Sequence, residues 1–120
     1  MSHVHHGIDY VEFHAPDLPA TRDFLASAFG WKFTAYGPEY AGLHDGRPGG
    51  TEAGGVAQGE ASQPLVIIYS TDLAATERAV VDAGGEITVA RYDFPGGQRF
   101  HFREPGGAEM AVWSDADETA

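Results

Sequence analysis

The chain has no cysteine, few basic residues and no long apolar run. Without cysteine, neither a disulfide framework nor a thiolate metal site can hold the fold together, and a reducing compartment is compatible with it. No apolar stretch approaches the roughly 20 residues that span a bilayer. The opening Met1-Ser2-His3-Val4-His5-His6 has no signal-like apolar segment, so the expectation is a cytoplasmic protein with no membrane association. Lys and Arg total 7 against 18 Asp and Glu, a formal net charge of −11. A field of that sign repels phosphate backbones and argues against nucleic-acid binding. Neutral or cationic small molecules suit it better as partners. A length of 120 residues fits a single domain able to bury its own core.

What the chain does contain is a repeat. Asp17-Leu18-Pro19-Ala20-Thr21 returns 55 residues later as Asp72-Leu73-Ala74-Ala75-Thr76, and Gly30 returns as Gly85. Pro48-Gly49-Gly50-Thr51-Glu52 returns as Pro105-Gly106-Gly107-Ala108-Glu109 at an offset of 57. Both matches occur in order with nearly the same spacing, which defines two modules, about residues 8–57 and 64–114. Residues 58–63 read as a polar linker and 115–120 as a loose tail.

Each module reads strand, helix, then three strands. Residues 8–14 alternate, with Val11 and Phe13 on one face and Tyr10, Glu12 and His14 on the other. Asp17 has the character of a helix N-cap, with Pro19 in the first turn, and Gly30 ends that helix. Phe24 with Ala28, and Leu25 with Phe29, predict its buried stripe. Strands are expected at 32–36, 40–44 and 52–57. In the second module, 65–69 is an apolar strand, Asp72 caps a helix with Ala75, Ala79 and Ala83 in register, and Gly84-Gly85 stops it. Strands at 86–93, 98–103 and 109–113 follow, which makes the fold α+β, βαβββ twice.

The opening strand before Asp17-Leu18, the helix ending Phe29-Gly30-Trp31, and Phe102-Arg103-Glu104-Pro105-Gly106-Gly107 together resemble the vicinal-oxygen-chelate superfamily, the glyoxalase, bleomycin-resistance and dioxygenase group. The resemblance spans about residues 8–114 and implies two modules curled into a cleft. In metal-dependent members of that family a divalent ion is held by donors on the first and last strands of each module and acts as a Lewis acid. Carried onto this chain, the ligand positions are Tyr10, Gly54, Leu65 and Ala111. Leucine, glycine and alanine have no side-chain donor, and tyrosine is an uncommon ligand for these ions. The standard metal site is therefore expected to be missing, which leaves a displaced site on Glu12, His14, Glu52 and Glu109 as the alternative. His3, His5 and His6 read as an adventitious metal binder rather than a site.

Glu12 is the leading candidate for chemistry, as a general base or a polar anchor on a largely apolar face. The competing reading pairs it with Arg99 or Arg103 to fix the sheet. Tyr10, Glu12, His14, Trp31, Tyr69 and Trp113 are the candidate ligand-binding residues, the aromatics as walls for a planar molecule. Tyr36 and Tyr40 are further aromatic candidates. His101, Arg99 and Arg103 share one strand face, and His44 beside Asp45-Gly46 reads as a turn residue. The resemblance implies a metal-independent small-molecule-binding protein, antibiotic-sequestering or ligand-sensing, that forms a homodimer. The alternative is a glyoxalase- or dioxygenase-like lyase or isomerase using Glu12 or a displaced metal.

Overall fold

A computed structural model describes residues 3–115, which divide into two compact units, Tyr10–Leu65 and a second made of the N-terminal residues through Asp9 with Val66 onward. The expected tail residues 116–120 lie outside the described residues, whereas Asp115 ends a strand. The chain runs β1 (Ile8–Ala15), α1 (Leu18–Phe29), β2 (Lys32–Ala35), β3 (Tyr40–His44) and β4 (Gly54–Gln58). It continues with β5 (Leu65–Tyr69), α2 (Leu73–Asp82), β6 (Glu86–Phe94), β7 (Gly97–Arg103) and β8 (Glu109–Asp115).

In the Tyr10–Leu65 unit, β1 pairs parallel with β4, and β4–β3 and β3–β2 are antiparallel. The Asp17 carboxylate accepts from Ala20 N at 3.1 Å, satisfying an N–H that has no partner inside α1. Gly30 closes the helix at φ 74°, a conformation that costs glycine little. Gln58 adds a second cap, its Oε1 accepting from Leu18 N at 3.1 Å while its amide donates to the Pro16 carbonyl. Ala15, Leu18, Ala41 and Val56 form the core, with Phe13, Leu25 and Phe33 against it. Of the expected stripe only Leu25 packs on the core: Phe24 and Phe29 are 63 % and 61 % exposed, Ala28 is exposed too, and Leu18 joins Leu25 on the inner face. Seven positions separate Leu18 from Leu25, two full helical turns, so that pair is as regular as the one predicted.

The second unit repeats the plan. β5 pairs parallel with β8, followed by antiparallel β8–β7 and β7–β6, the last with two register shifts. Asp72 caps α2 through Ala75 N at 3.1 Å. Leu73, Phe100, Phe102 and Val112 make its core, with Ile68, Val80, Ile87 and Met110 packed on them. Leu73 and Thr76 are the buried residues of α2, while Ala79 and Ala83 are exposed, so the predicted alanine stripe is likewise not the inner face. The segment before β1 is tied to β5: His6 N donates to Tyr69 O at 2.7 Å and Tyr69 N to Gly7 O at 3.1 Å.

Candidate functional site

With Phe13, Ala41 and Val56 turned to the helix side, strand alternation turns Tyr10, Glu12, His14, Tyr40, Gly42, His44 and Gly55 to the opposite face of the same unit. That face is polar rather than largely apolar. The Tyr40 hydroxyl donates to Oε2 of buried Glu12 at 3.1 Å, and the Tyr10 and Tyr40 hydroxyls lie 2.9 Å apart. The Tyr10 hydroxyl is 3.4 Å from Oε1 of Glu52, and the Tyr36 hydroxyl donates to Oε2 of Glu52. His14 Nε2 stands 3.5 Å from Oε1 of Glu12. His44 Nε2 bonds Thr34 Oγ1 at 3.0 Å and lies 3.9 Å from Glu52.

Two strand glycines make this packing possible. A Cβ on Gly55 would stand 2.1 Å from the Tyr40 oxygen and 2.9 Å from that of Tyr10. A Cβ on Gly42 would stand 2.2 Å from Oε2 of Glu52. The phenols and the Glu52 carboxylate therefore lie flat over bare backbone. Burial, aided by the Glu52 and Glu12 charges and opposed by the Tyr40 hydrogen bond, pushes the Tyr10 phenol up to about 12. Burial raises Tyr40 as well, reinforced by Tyr10 and Glu12, and the hydrogen bond to Glu52 raises Tyr36. All three phenols are proton donors, not phenolates, at neutral pH.

The register also revises one ligand position. Gly55 faces Glu12 across β1–β4, as Ala111 faces Ile67 across β5–β8, and Glu12 and Ile67 are repeat partners. Gly55, rather than Gly54, thus corresponds to Ala111. One more residue separates Glu52 from Gly55 than Glu109 from Ala111, and 51–53 precede the regular strand, so Glu52 shares a face with Gly55 and not with Gly54. Neither glycine supplies a donor. A Cβ on Gly54 would lie 2.0 Å from the Val11 carbonyl oxygen, so no ligating side chain fits there. The Tyr10 hydroxyl is engaged instead with the Tyr40 hydroxyl at 2.9 Å and with Glu52 at 3.4 Å. Among the described residues no group of three or more His, Cys, Asp or Glu is arranged to hold a metal ion. The residues present do not fit the divalent ion of the metal-dependent members.

The other predicted residues fall elsewhere. Trp31 packs on Phe29 at 5.4 Å between ring centroids. In the second unit Tyr69 and Trp113 meet edge-on at 5.2 Å, His3 stacks on Tyr69 at 4.8 Å, and Asp9 holds both His3 Nδ1 (2.8 Å) and Trp113 Nε1 (3.0 Å). His3 turns to Tyr69 and Asp9, whereas His5 and His6 stack on each other at 3.8 Å between ring centroids, His5 Nδ1 accepting from Thr71 N at 2.9 Å and His6 Nε2 bonding Thr76 Oγ1 at 2.9 Å. Arg103 pairs with Glu86 at 3.1 Å. The Arg99 guanidinium lies over the Tyr92 and Phe94 rings and donates to the Tyr92 hydroxyl. His44 ends β3 instead of forming a turn. Tyr36 and Tyr40, expected only as aromatic walls, and Glu52, expected only as a displaced ligand, are joined here by hydrogen bonds, for which the signal in the sequence was glycine inside two strands, at 42 and 55.

The polar face and the two βαβββ units mark a repeated-module fold in which the standard ligand positions hold Tyr10, Gly55, Leu65 and Ala111. Residues 7–112 match the model of the Glyoxalase/Bleomycin resistance protein/Dioxygenase superfamily, and the chain belongs to that family. No curated protein matches it. Among solved structures it is similar to the Mn(II)-bound glyoxalase from Novosphingobium aromaticivorans (TM-score 0.66, 24 % identity, covering 92 % of this chain and 39 % of that one). It is also similar to the methylmalonyl-CoA epimerase of Streptomyces coelicolor (0.66, 15 %, 91 % and 96 %). An extradiol ring-cleaving dioxygenase from B. fuscum aligns at 0.67 and 14 % identity, over 90 % of this chain and 32 % of that one. The chain thus spans well under half of the glyoxalase and of the dioxygenase, and these identities carry the fold alone. No helix among the described residues is long and apolar enough to cross a membrane.

Proposed function

We propose that the chain is a metal-independent small-molecule-binding protein, of the antibiotic-sequestering or ligand-sensing type, and that its ligand carries an ammonium group. The observation that carries this reading is the convergence of Glu12, Glu52, Tyr10, Tyr36 and Tyr40 on one sheet face. Carboxylates accept charge-assisted hydrogen bonds, and tyrosine rings attract cations through their π faces. The Tyr36 and Tyr40 rings, a tilted pair 6.4 Å apart between centroids, form one continuous aromatic surface beside those carboxylates. His14, Trp31, Tyr69 and Trp113 stay in the proposal as candidate contacts, each scored by substitution in the same titration.

The test is calorimetry and thermal shift with a panel of alkylammonium and neutral planar compounds. Glu12→Gln keeps the shape and removes the charge, and should weaken an ammonium ligand by about 1.5–3 kcal/mol. A fall in melting temperature with unchanged affinity would take Glu12 out of the site. Binding confined to neutral compounds would reject the ammonium class.

The reading places the protein in the cytoplasm, consistent with its lack of cysteine. It also makes the protein a homodimer, for which the exposed Phe24 and Phe29 supply an apolar patch. Light scattering should give twice the chain mass at micromolar concentration, and a monomer there would refute the dimer. A second reading, a metal-free isomerase or lyase with Glu12 as acid or base, is favoured by the phenol that donates to this buried carboxylate.

A further inference from the structure

The contacts on this face form one line: Glu52, Tyr10, Tyr40, Glu12. Three oxygen–oxygen contacts join the four groups, and with both carboxylates ionised only two phenolic protons are available to fill them. Tyr40 donates to Glu12 at 3.1 Å, so its proton is committed there, and the shorter of the two contacts open to the Tyr10 proton is the 2.9 Å one to Tyr40. The remaining contact, Tyr10 to Glu52, is the longest at 3.4 Å, and Tyr36 supplies Glu52 with a donor instead. A third proton, placed on Glu52, would turn that loose contact into a hydrogen bond and complete the line.

We propose that Tyr10 and Tyr40 form a proton relay between Glu52 and Glu12, so that a proton taken up at one carboxylate leaves from the other. This goes beyond the binding function and rests on the same face as the isomerase reading. In the transfer, the Glu52 O–H bond breaks as its proton passes to the Tyr10 oxygen. The Tyr10 proton passes to Tyr40, and the Tyr40 proton to Glu12. One proton moves, no electrons do, and both phenols end neutral as they began. Neutral phenols are what burial enforces, with Tyr10 at about 12 and Tyr40 raised as well. The bare backbone at Gly55 lets the two phenol oxygens meet, since a Cβ there would stand 2.1 Å from one and 2.9 Å from the other. The reaction class served is a proton shift within one bound molecule, removed at one carbon or heteroatom and returned at another.

Other titratable groups press on the same carboxylates and must be separated from the relay. His14 stands beside Glu12 on β1, His44 beside Glu52 from β3, and Tyr36 on Glu52 from the end of β2. The test is carbon NMR on the full, ligand-free chain labelled at glutamate Cδ and tyrosine Cζ, titrated with acid. In the native protein the Glu12 and Glu52 carboxyl carbons should each respond where the other titrates, and the Tyr10 and Tyr40 ζ carbons should shift at the same points, as each phenol exchanges its donor and acceptor. Tyr10→Phe and Tyr40→Phe leave the charges unchanged and cut the line, so the shared response of the carboxyls should vanish in both. Coupling that survives in either variant is Coulombic and overturns the relay, as do carboxyls that titrate independently in the native chain. Should both variants unfold, the ζ carbons of the native chain decide: no shift with the carboxyls rejects the proposal. None of these readouts uses a ligand, so failure of the ammonium-binding reading is seen separately, by calorimetry.

Discussion

The two units carry the same small constellation and put it to different use. Thr34, His44 and Glu52 gather in one and Thr88, His101 and Glu109 in the other, where Thr88 donates to Glu109 at 3.0 Å and His101 lies 3.8 Å from it; the match is of residue types and not of positions, since Gly42 faces Gly55 as His101 faces Ala111. Around Glu52 the chain gathers the phenols of Tyr10 and Tyr36. Around His101 it gathers Tyr92, at 2.9 Å, and the Arg99 side chain. The opening strands differ most. Tyr10, Glu12 and His14 become Leu65, Ile67 and Tyr69. A duplicated backbone thus keeps its frame while a few positions of the opening strand decide whether it carries hydrogen-bonding side chains, as at Tyr10, Glu12 and His14, or mainly apolar ones, as at Leu65 and Ile67.

The cores provide the largest expected break in that comparison. Phe100 is fully buried in the second unit, so Phe100→Ala should cost about 3–5 kcal/mol in urea unfolding. Phe24, on the exposed side of α1, should lose less than about 0.5 kcal/mol on the same change, within the range of ordinary surface substitutions. A large loss at Phe24 would mean that its ring is covered in solution and would favour the dimer.

That contrast also marks what the sequence could reveal. All eight strands, both helices, the Asp17 and Asp72 caps and the Gly30 terminus were legible, because alternation and capping are local. The inner face of α1 was legible only in part, in Leu25 and not in Phe24, Ala28 or Phe29. Phe24 and Leu25 are adjacent apolar residues about 100° apart on the helix, and only tertiary packing chooses between them. Tyr10, Glu12 and His14 were correctly placed on one face, since strand alternation requires it. Glu52 was grouped with Glu12 and His14, but its face was counted from Gly54, and the extra residue before Gly55 puts it on the face of Gly55 instead. The meeting of Tyr10, Tyr40 and Glu52 depends on the order in which strands pair, which no local pattern encodes.

The glycine floor gives the next effect. Gly55→Ala should cost about 1–3 kcal/mol, because the new methyl occupies the place of the Tyr40 and Tyr10 oxygens. The reciprocal change in the second unit, Ala111→Gly, removes a buried methyl and loosens a strand, for about 0.5–1 kcal/mol. Denaturation curves compare the two directly, and the tyrosine ζ carbons should move in the first variant only. Equal and small losses would mean that the phenols have room to withdraw and that the floor does not hold them.

The smallest effect separates the two turns that precede the last strand of each unit. Asp45 is held below the usual carboxylate range mainly by the Arg47 side chain. Glu104 is held low by the N–H groups of Ala108 and Gly106, which donate at 2.9 and 2.6 Å. A carboxyl lowered in the folded state favours folding above its unfolded value, and that contribution disappears as pH falls through the folded one. Glu104→Gln and Asp45→Asn should therefore both lower stability at neutral pH, with the gap to the native chain closing in acid. Salt should tell them apart. The Asp45 contribution depends on a mobile guanidinium at the surface and should shrink in concentrated sodium chloride, whereas that of Glu104 depends on fixed backbone donors at hydrogen-bond distance and should persist. Melting temperatures of the two variants across pH, at low and high salt, measure both trends. A Glu104→Gln gap that widens toward acid would contradict the lowered carboxyl, and one that vanishes in salt would assign its stabilisation to distant charges rather than to the turn.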